Sequence, residues 1–204
     1  MKKISVVVPM YYEEEVVNEC YTRLNNVFKE LKTYDYEFIF VNDGSKDRTL
    51  ELLEKIAMDD KKVKIISFSR NFGHQCAVAA GLKHATGDAV IIIDADMQDP
   101  PELIIEMINL WEDGNEVIYA KRKARRGESR FKLCTAKMFY RVLDGLSDVK
   151  IPQDTGDFRL ADRKVINVIN DLPEHNKFLR GLFSWVGYKQ IPIESVSYTH
   201  LTLP

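Results

Sequence analysis

Apolar residues in the first 120 positions alternate between two periods. Ile4 to Val8 is a short, largely β-branched run, followed by Val17, Cys20, Leu24, Val27 and Leu31 at the three- and four-residue spacing of a helix's buried face. This pattern predicts a strand and then a helix. It repeats: Phe38 to Val41 precedes a helix carrying Leu52, Leu53 and Ile56; Val63 to Phe68 precedes Gln75 to His84; Ala89 to Ile93 precedes Leu103 to Leu110; then comes Val117 to Tyr119. Continuous apolar strands separated by helices imply a parallel sheet covered on both faces. The expected fold class is therefore α/β, an open and mostly parallel sheet flanked by helices on both faces.

The pattern changes after Ala120. Lys121 to Lys132 holds seven basic residues and one acid, a local charge of +6. Phe131, Cys134, Met138, Val142 and Leu146 then recur at near-helical spacing among Arg130, Lys132, Lys137 and Arg141. Residues 120–150 thus read as a basic arm and an amphipathic helix, suited to an anionic membrane interface or, equally, to ordinary packing against a core. Further on, Gly156 to Leu160 reads as a short strand, Arg163 to Asn170 and Lys177 to Ser184 as helices, and Tyr188 to Ile193 as a closing strand. Trp111 and Trp185 read as packing residues, and none of the histidines is assigned a catalytic role.

Length and composition narrow the classes. The 204 residues correspond to about one domain, and a net charge of -2 does not mark a nucleic-acid binder. Cys20, Cys76 and Cys134, odd in number and far apart, fit neither a disulfide framework nor zinc-ligand spacing and suggest a reducing cytosol. The start, Met1 to Glu15, lacks a signal peptide's apolar region, and no apolar run approaches the ~20 residues of a membrane span.

In parallel α/β sheets, ligands bind beyond the carboxyl ends of the strands. Three acidic clusters fall there: Glu13 to Glu15, Asp43, and Asp94-Ala95-Asp96. The first also reads as the acidic start of a helix, and Asp43-Gly44-Ser45 as a polar strand-to-helix turn. Asp94-x-Asp96 is sharper, because alternate residues of an extended segment point the same way and place two carboxylates on one side. Such a pair needs a cation. With Gln98 two residues on, hard oxygen ligands suit Mg²⁺ or Mn²⁺ that completes its shell with substrate phosphates. Asp99-Pro100-Pro101-Glu102 reads as a capping box with proline at the first helical position. None of the ten glycines stands in G-x-G or G-x-x-x-x-G-K order, so neither a dinucleotide fingerprint nor a P-loop is supported.

Five segments together carry a family resemblance. They are Val8-Pro9-Met10-Tyr11, Val41-Asn42-Asp43-Gly44-Ser45, Ser69-Arg70-Asn71-Phe72-Gly73, Asp94 through Glu102, and Asp154-Thr155-Gly156-Asp157-Phe158-Arg159-Leu160. In this order they resemble family 2 glycosyltransferases with a GT-A fold, and within them the polyprenyl-phosphate and dolichyl-phosphate glycosyltransferases. The resemblance implies that Pro9, Tyr11, Glu13, Asp43, Asp94, Ala95, Asp96, Arg122 and Arg126 bind the nucleotide sugar. It further implies that Asp94, Asp96 and Gln98 hold the metal and that Asp157 is the catalytic residue, by family precedent the base.

The expected activity is inverting, metal-dependent transfer of a sugar from a UDP- or GDP-linked donor to a polyprenyl phosphate (undecaprenyl or dolichyl) at the cytosolic membrane face. The competing expectations are a sugar or protein hydroxyl acceptor, and an inactive nucleotide-binding or scaffold fragment. Residues 1–196 are expected to form the catalytic domain. Tyr12 stands where the resembling family usually has asparagine, and Ser197 to Pro204 departs from its basic continuation. That stretch, 197–204, is expected to be a truncated or non-native tail, with membrane helices and a self-association surface lying in a C-terminal region beyond it.

Overall fold

The computed structural model of the protein describes residues 1–122, 155–174 and 177–195. The basic arm and amphipathic helix expected over 120–150 lie outside the described residues from residue 123 onward, as do Arg126, Cys134, His175 and the tail after Ser195. In chain order the elements begin with β1 (Lys3–Met10), α1 (Val17–Glu30), β2 (Asp35–Asn42), α2 (Thr49–Asp59) and β3 (Val63–Ser67). They continue with α3 (His74–His84), β4 (Ala89–Ile92), α4 (Leu103–Glu112) and β5 (Val117–Arg122). After the undescribed stretch come β6 (Thr155–Asp162), α5 (Arg163–Asp171), α6 (Leu179–Trp185) and β7 (Gln190–Ser195). No helix among the described residues is long and apolar enough to cross a membrane.

The strands form one sheet in the order β3-β2-β1-β4-β6-β5-β7. Period-two alternation sends the apolar side chains of the central strands to opposite faces. Ile4, Val6, Val8, Phe38, Phe40 and Ile91 join Cys20 and Leu24 of α1, Leu53 of α2 and Ile104 and Ile108 of α4 in one core layer. Val7, Ile39, Val41, Val90 and Ile92 join Ala77 and Leu82 of α3, Ile166 of α5 and Phe183 of α6 in the other. Both faces are therefore covered, as the uninterrupted apolar runs require. Gly81 lets α3 lie close on β1, since a Cβ there would meet Val7 Cγ1 at 2.2 Å.

Two features position the cleft described below. First, β1 pairs with β2 on one side and β4 on the other, so the chain reverses direction across the sheet at β1 and opens a crevice beyond the carboxyl ends of β1 and β4. Second, β6 runs antiparallel between β4 and β5, with Ile92 opposite Arg159. Its amino end therefore lies beside the carboxyl end of β4, which brings residues near Asp157 to the same crevice. The sheet is mixed, parallel through β3-β2-β1-β4 and antiparallel on both sides of β6.

Two sequence expectations change. α4 begins at Leu103 with no side-chain cap. The carboxylate of Asp99 instead accepts a hydrogen bond from the Ser195 hydroxyl at 2.6 Å, both residues being buried. The proline pair ends its own turns first, with Pro100 and Pro101 carbonyls accepting from Leu103 and Ile104. Trp111 is buried and donates to Asp162, but Trp185 is 59% exposed and does not serve packing.

At the opposite end of the sheet Glu37, 2% exposed, accepts from Ser5 Oγ, from Thr86 N and Oγ1, and from the Lys3 and Lys64 ammonium groups. Burial alone would raise its pKa. The hydrogen bonds from Lys64, Ser5, Lys3 and Thr86 outweigh it and hold the carboxyl well below the usual carboxylate range. A folded-state pKa below the unfolded value contributes stability above the unfolded pKa, lost as pH falls toward the folded one. Glu37→Gln is expected to cost about 2–3 kcal/mol at pH 7, the worth of a buried hydrogen-bonded charge. The melting-temperature gap to wild type should narrow as pH falls below about 4.5, the carboxyl's ordinary value; a gap constant from pH 7 to pH 3 would contradict this account.

Candidate active site

A cleft of about 280 Å³ opens at the crevice and is lined by Pro9, Met10, Tyr11, Glu13, Asp43, Asn71, His74, Ala77, Asp94, Ala95 and Asp96. Seven sequence-predicted positions thus meet in one place: Pro9, Tyr11, Glu13, Asp43, Asp94, Ala95 and Asp96. Gln98 is exposed on the same loop, where its backbone N–H donates to Asp96 Oδ1 at 3.1 Å, and it is outside the lining. Arg122 closes β5 opposite Ser195 of β7.

Each loop at the cleft is pinned by its own short-range bonds. After β1 the chain turns through Tyr12, which has a positive φ of 58° and donates its N–H to Ser45 Oγ. After β2, Gly44 takes a φ of 71° and approaches the backbone of Arg70 so closely that a Cβ would sit 2.3 Å from its carbonyl carbon. Only glycine fits there. Asp43, buried at 2%, accepts from Phe72 N at 2.7 Å, Gly73 N at 2.9 Å and Asn71 Nδ2 at 3.0 Å. Three of its roughly four acceptor positions are thereby filled by the loop before α3. After β4, Met97 has a φ of 51°, a left-handed conformation that non-glycine residues adopt where surrounding contacts impose it, commonly at functional sites.

The electrostatics of the cleft are unbalanced. Asp94 Oδ1 is sealed from water with no hydrogen-bond partner among the described residues, while the side chain as a whole is 39% exposed toward the cleft. Burial raises the Asp94 pKa, Asp157, Asp96 and Asp99 add to the rise, and His74 opposes it. Glu13 is raised as well, first by burial and then by the charges of Asp96, Asp94 and Asp47. Carboxylates crowded in this way fit a divalent cation. Among the described residues no three acidic, histidine or cysteine side chains converge as a complete cage. An ion held by one or two carboxylates that takes its remaining oxygens from a substrate's phosphates matches this donor set.

Behind the acidic loop stands a second cluster, from different elements. Asp157 of β6, 9% exposed, accepts from Arg180 Nε at 2.7 Å and Nη2 at 3.2 Å, and lies 3.0 Å from His74 Nε2. Arg159, two residues along the strand, approaches Asp157 to 3.9 Å and lies over the Phe183 ring. Burial would raise the Asp157 pKa, but His74 and Arg180 outweigh it and hold the carboxyl well below the usual range. The bond to Asp157 raises His74, burial opposes, and Asp94, 3.6 Å from its Nε2, adds to the rise. Burial brings Arg159 down to about 10.

His74, Gln75, Arg159 and Arg180 belong to this arrangement and Asn71 to the loop held by Asp43, and sequence reasoning assigned none of them a role. For Asn71 and His74 a signal existed, since both belong to or adjoin the Arg70-Asn71-Phe72-Gly73 segment. Arg180 gave none, because it is one cation in a helix 23 residues from its partner.

Comparison with known proteins identifies the family and the fold. The family model described as glycosyl transferase family 2 matches residues 5–169. The uncharacterized glycosyltransferase YkcC of Bacillus subtilis is 57% identical over 192 residues, 94% of this chain and 59% of the relative. A prophage bactoprenol glucosyl transferase homolog of Escherichia coli is 45% identical over 194 residues, 95% of this chain and 63% of the relative. The chain therefore spans about three fifths of the length of these relatives. Among solved structures, the Pyrobaculum calidifontis mannosyltransferase PcManGT, in complex with GDP-Man and Mn²⁺, aligns with a TM-score of 0.64 at 18% identity, covering 98% of this chain and 58% of that one. Glucosyl-3-phosphoglycerate synthase of Mycobacterium tuberculosis, with Mn²⁺, UDP and phosphoglyceric acid, aligns at 0.64 and 19%, covering 98% and 72%. The fold is that of the GT-A glycosyltransferases, and the chain belongs to glycosyl transferase family 2.

Proposed function

We propose that the protein transfers a sugar, with inversion, from a nucleotide-diphosphate sugar to a polyprenyl phosphate at the cytosolic membrane face, with Mg²⁺ or Mn²⁺ bound at Asp94 and Asp96. The observation that carries this reading is Asp94 Oδ1, sealed at the floor of an acidic cleft with no hydrogen-bond partner among the described residues and the His74 ring 3.6 Å away. An ionised carboxylate in that position is costly without a cation. The acceptor is supported by the 45% identity to the bactoprenol glucosyl transferase homolog.

In this reading Pro9, Tyr11 and Glu13 face the nucleoside, and Asp43 shapes its pocket by holding Asn71, Phe72 and Gly73 in place. When bound, the divalent ion neutralises charge developing on the departing diphosphate. Asp94 and Asp96 hold it, Gln98 is placed on the same loop to assist, and Ala95 keeps the wall between the carboxylates small. Arg122, at the end of β5, and Arg126 are assigned to phosphate groups. An acceptor phosphate oxygen attacks the anomeric carbon as the bond to the nucleoside diphosphate breaks on the opposite face, inverting the configuration.

Asp157 then needs no strong basicity. A phosphate monoester has its second pKa near ~6 and is mostly a dianion at pH 7. A carboxylate held ionised by two cations suits orientation better than proton removal, which calls for a pKa near the working pH.

Two outcomes are expected. A thermal-shift titration with UDP and GDP should show stabilisation by one of them that depends on Mn²⁺. At 100 times the dissociation constant this amounts to about 2.7 kcal/mol, and Asp94→Asn should abolish it; metal-independent stabilisation in both proteins would overturn the assignment of the metal. In a transfer assay with undecaprenyl phosphate, Asp157→Asn should lower kcat about 10- to 100-fold, a positioning loss at or below the roughly 10²-fold minimum that a general base supplies. A loss above about 10³-fold, with turnover on a sugar hydroxyl, would favour the hydroxyl-acceptor reading.

A further inference from the structure

The contact that fixes Asp157 comes from α6, an element outside the cleft. The guanidinium of Arg180 meets the carboxylate at two points, Nε to Oδ1 at 2.7 Å and Nη2 to Oδ2 at 3.2 Å. Oδ2 is also the oxygen that faces His74 Nε2 at 3.0 Å, and His74 in turn stands 3.6 Å from Asp94. Gln75, next to His74 on α3, reaches both partners: its Oε1 accepts from Leu179 N at 3.0 Å and its Nε2 lies 3.5 Å from Asp157 Oδ2. The same glutamine thus ties the start of α6 to the carboxylate on which Arg180 closes. Arg180 itself is 38% exposed and borders the cluster from the solvent side.

We infer that Arg180 is a positioning residue of the transfer reaction: its two-point contact orients the Asp157 carboxylate, which seats the His74 ring against the Asp94 side of the cleft. The inference rests on the transferase reading above. A two-point contact matters here because a carboxylate held through one oxygen rotates about its Cβ–Cγ bond. Held through both, it presents Oδ2 to His74 in one orientation. Lysine offers a point charge in place of a planar fork and satisfies only half of the arrangement. Gln75 limits the movement of α6 that would release the contact. Arg159 adds charge 3.9 Å from the Asp157 carboxylate, but its Nε and Nη2 donate to the carbonyls of Asp157 and Gly156 and do not form the fork.

The test compares Arg180→Gln and Arg180→Lys with wild type in transfer assays on undecaprenyl phosphate and by imidazole ¹⁵N NMR of histidine-labelled protein. The protein has four histidines, and His74→Gln identifies the His74 signals. Arg180→Gln is expected to lower kcat about 10- to 100-fold, with the donor KM within about twofold of wild type and Mn²⁺-dependent nucleotide stabilisation retained. Arg180→Lys should recover part of kcat, and the His74 signals should move in Arg180→Gln in the direction seen in Asp157→Asn. A loss that appears instead as a raised donor KM or as lost nucleotide stabilisation would reduce Arg180 to a structural residue and overturn the inference. Unchanged His74 signals in Arg180→Gln, in a wild type that transfers sugar, would overturn the clamp and leave the transferase reading standing. A wild type that shows the His74 coupling yet transfers no sugar would overturn the transferase reading, and the role of Arg180 in that reaction with it.

Discussion

The sealed oxygen of Asp94 is the constraint around which this site is arranged. A carboxylate half removed from water, whose sealed oxygen has no hydrogen bond among the described residues and only the His74 ring at 3.6 Å, repels the neighbouring Asp96 and Asp157 and is destabilised by its own burial. Nothing in the core demands it. The apolar layers on both faces of the sheet close below the cleft without help from these carboxylates. Strain and electrostatic cost gathered at one sheet end, beside a well-packed scaffold, mark where stability is given up for binding.

The surrounding structure compensates in two ways. Backbone geometry carries the first: positive φ at Tyr12, Gly44 and Met97 folds three loops inward, and Asp43 locks the loop before α3 with three hydrogen bonds. Charge carries the second. Arg180, Arg159 and His74 surround Asp157, so the negative charge nearest to Asp94 on the β6 side is neutralised while the cleft side stays acidic. The result is an anionic mouth that suits a cation, backed by a cationic wall.

Much of this was legible in the residues, for reasons that differ by element. Strands β1 to β4 and helices α1 to α4 follow from hydrophobic period, because a sheet covered on both faces forces long apolar runs and its helices a three-four spacing. The acidic positions after β1, β2 and β4 could be placed at one sheet edge because every parallel strand ends on the same side. Asp-Pro-Pro-Glu suits a cap locally, but in the fold the Asp99 carboxylate accepts from the buried Ser195 of β7, a partner 96 residues away that no local pattern reveals. The seven residues of α6 are too few to reveal which side faces the core, so the exposure of Trp185 is not legible in them. His74 passed unnoticed at the start of a helix, where its ring could serve either packing or chemistry.

The sequence by itself determined the alternating elements, the core faces and the Asp94-Ala95-Asp96 pair at a strand's carboxyl end, because these depend on neighbours a few residues apart. It also carried the five ordered segments that resemble the family. Only the tertiary structure decided that β6 enters antiparallel between β4 and β5, which carries Asp157 to Asp94 across 63 positions of chain. Only the tertiary structure brought Arg180 onto Asp157 and His74 between two carboxylates. Such pairings arise from strand register and helix docking, which the whole core sets collectively and no local pattern encodes.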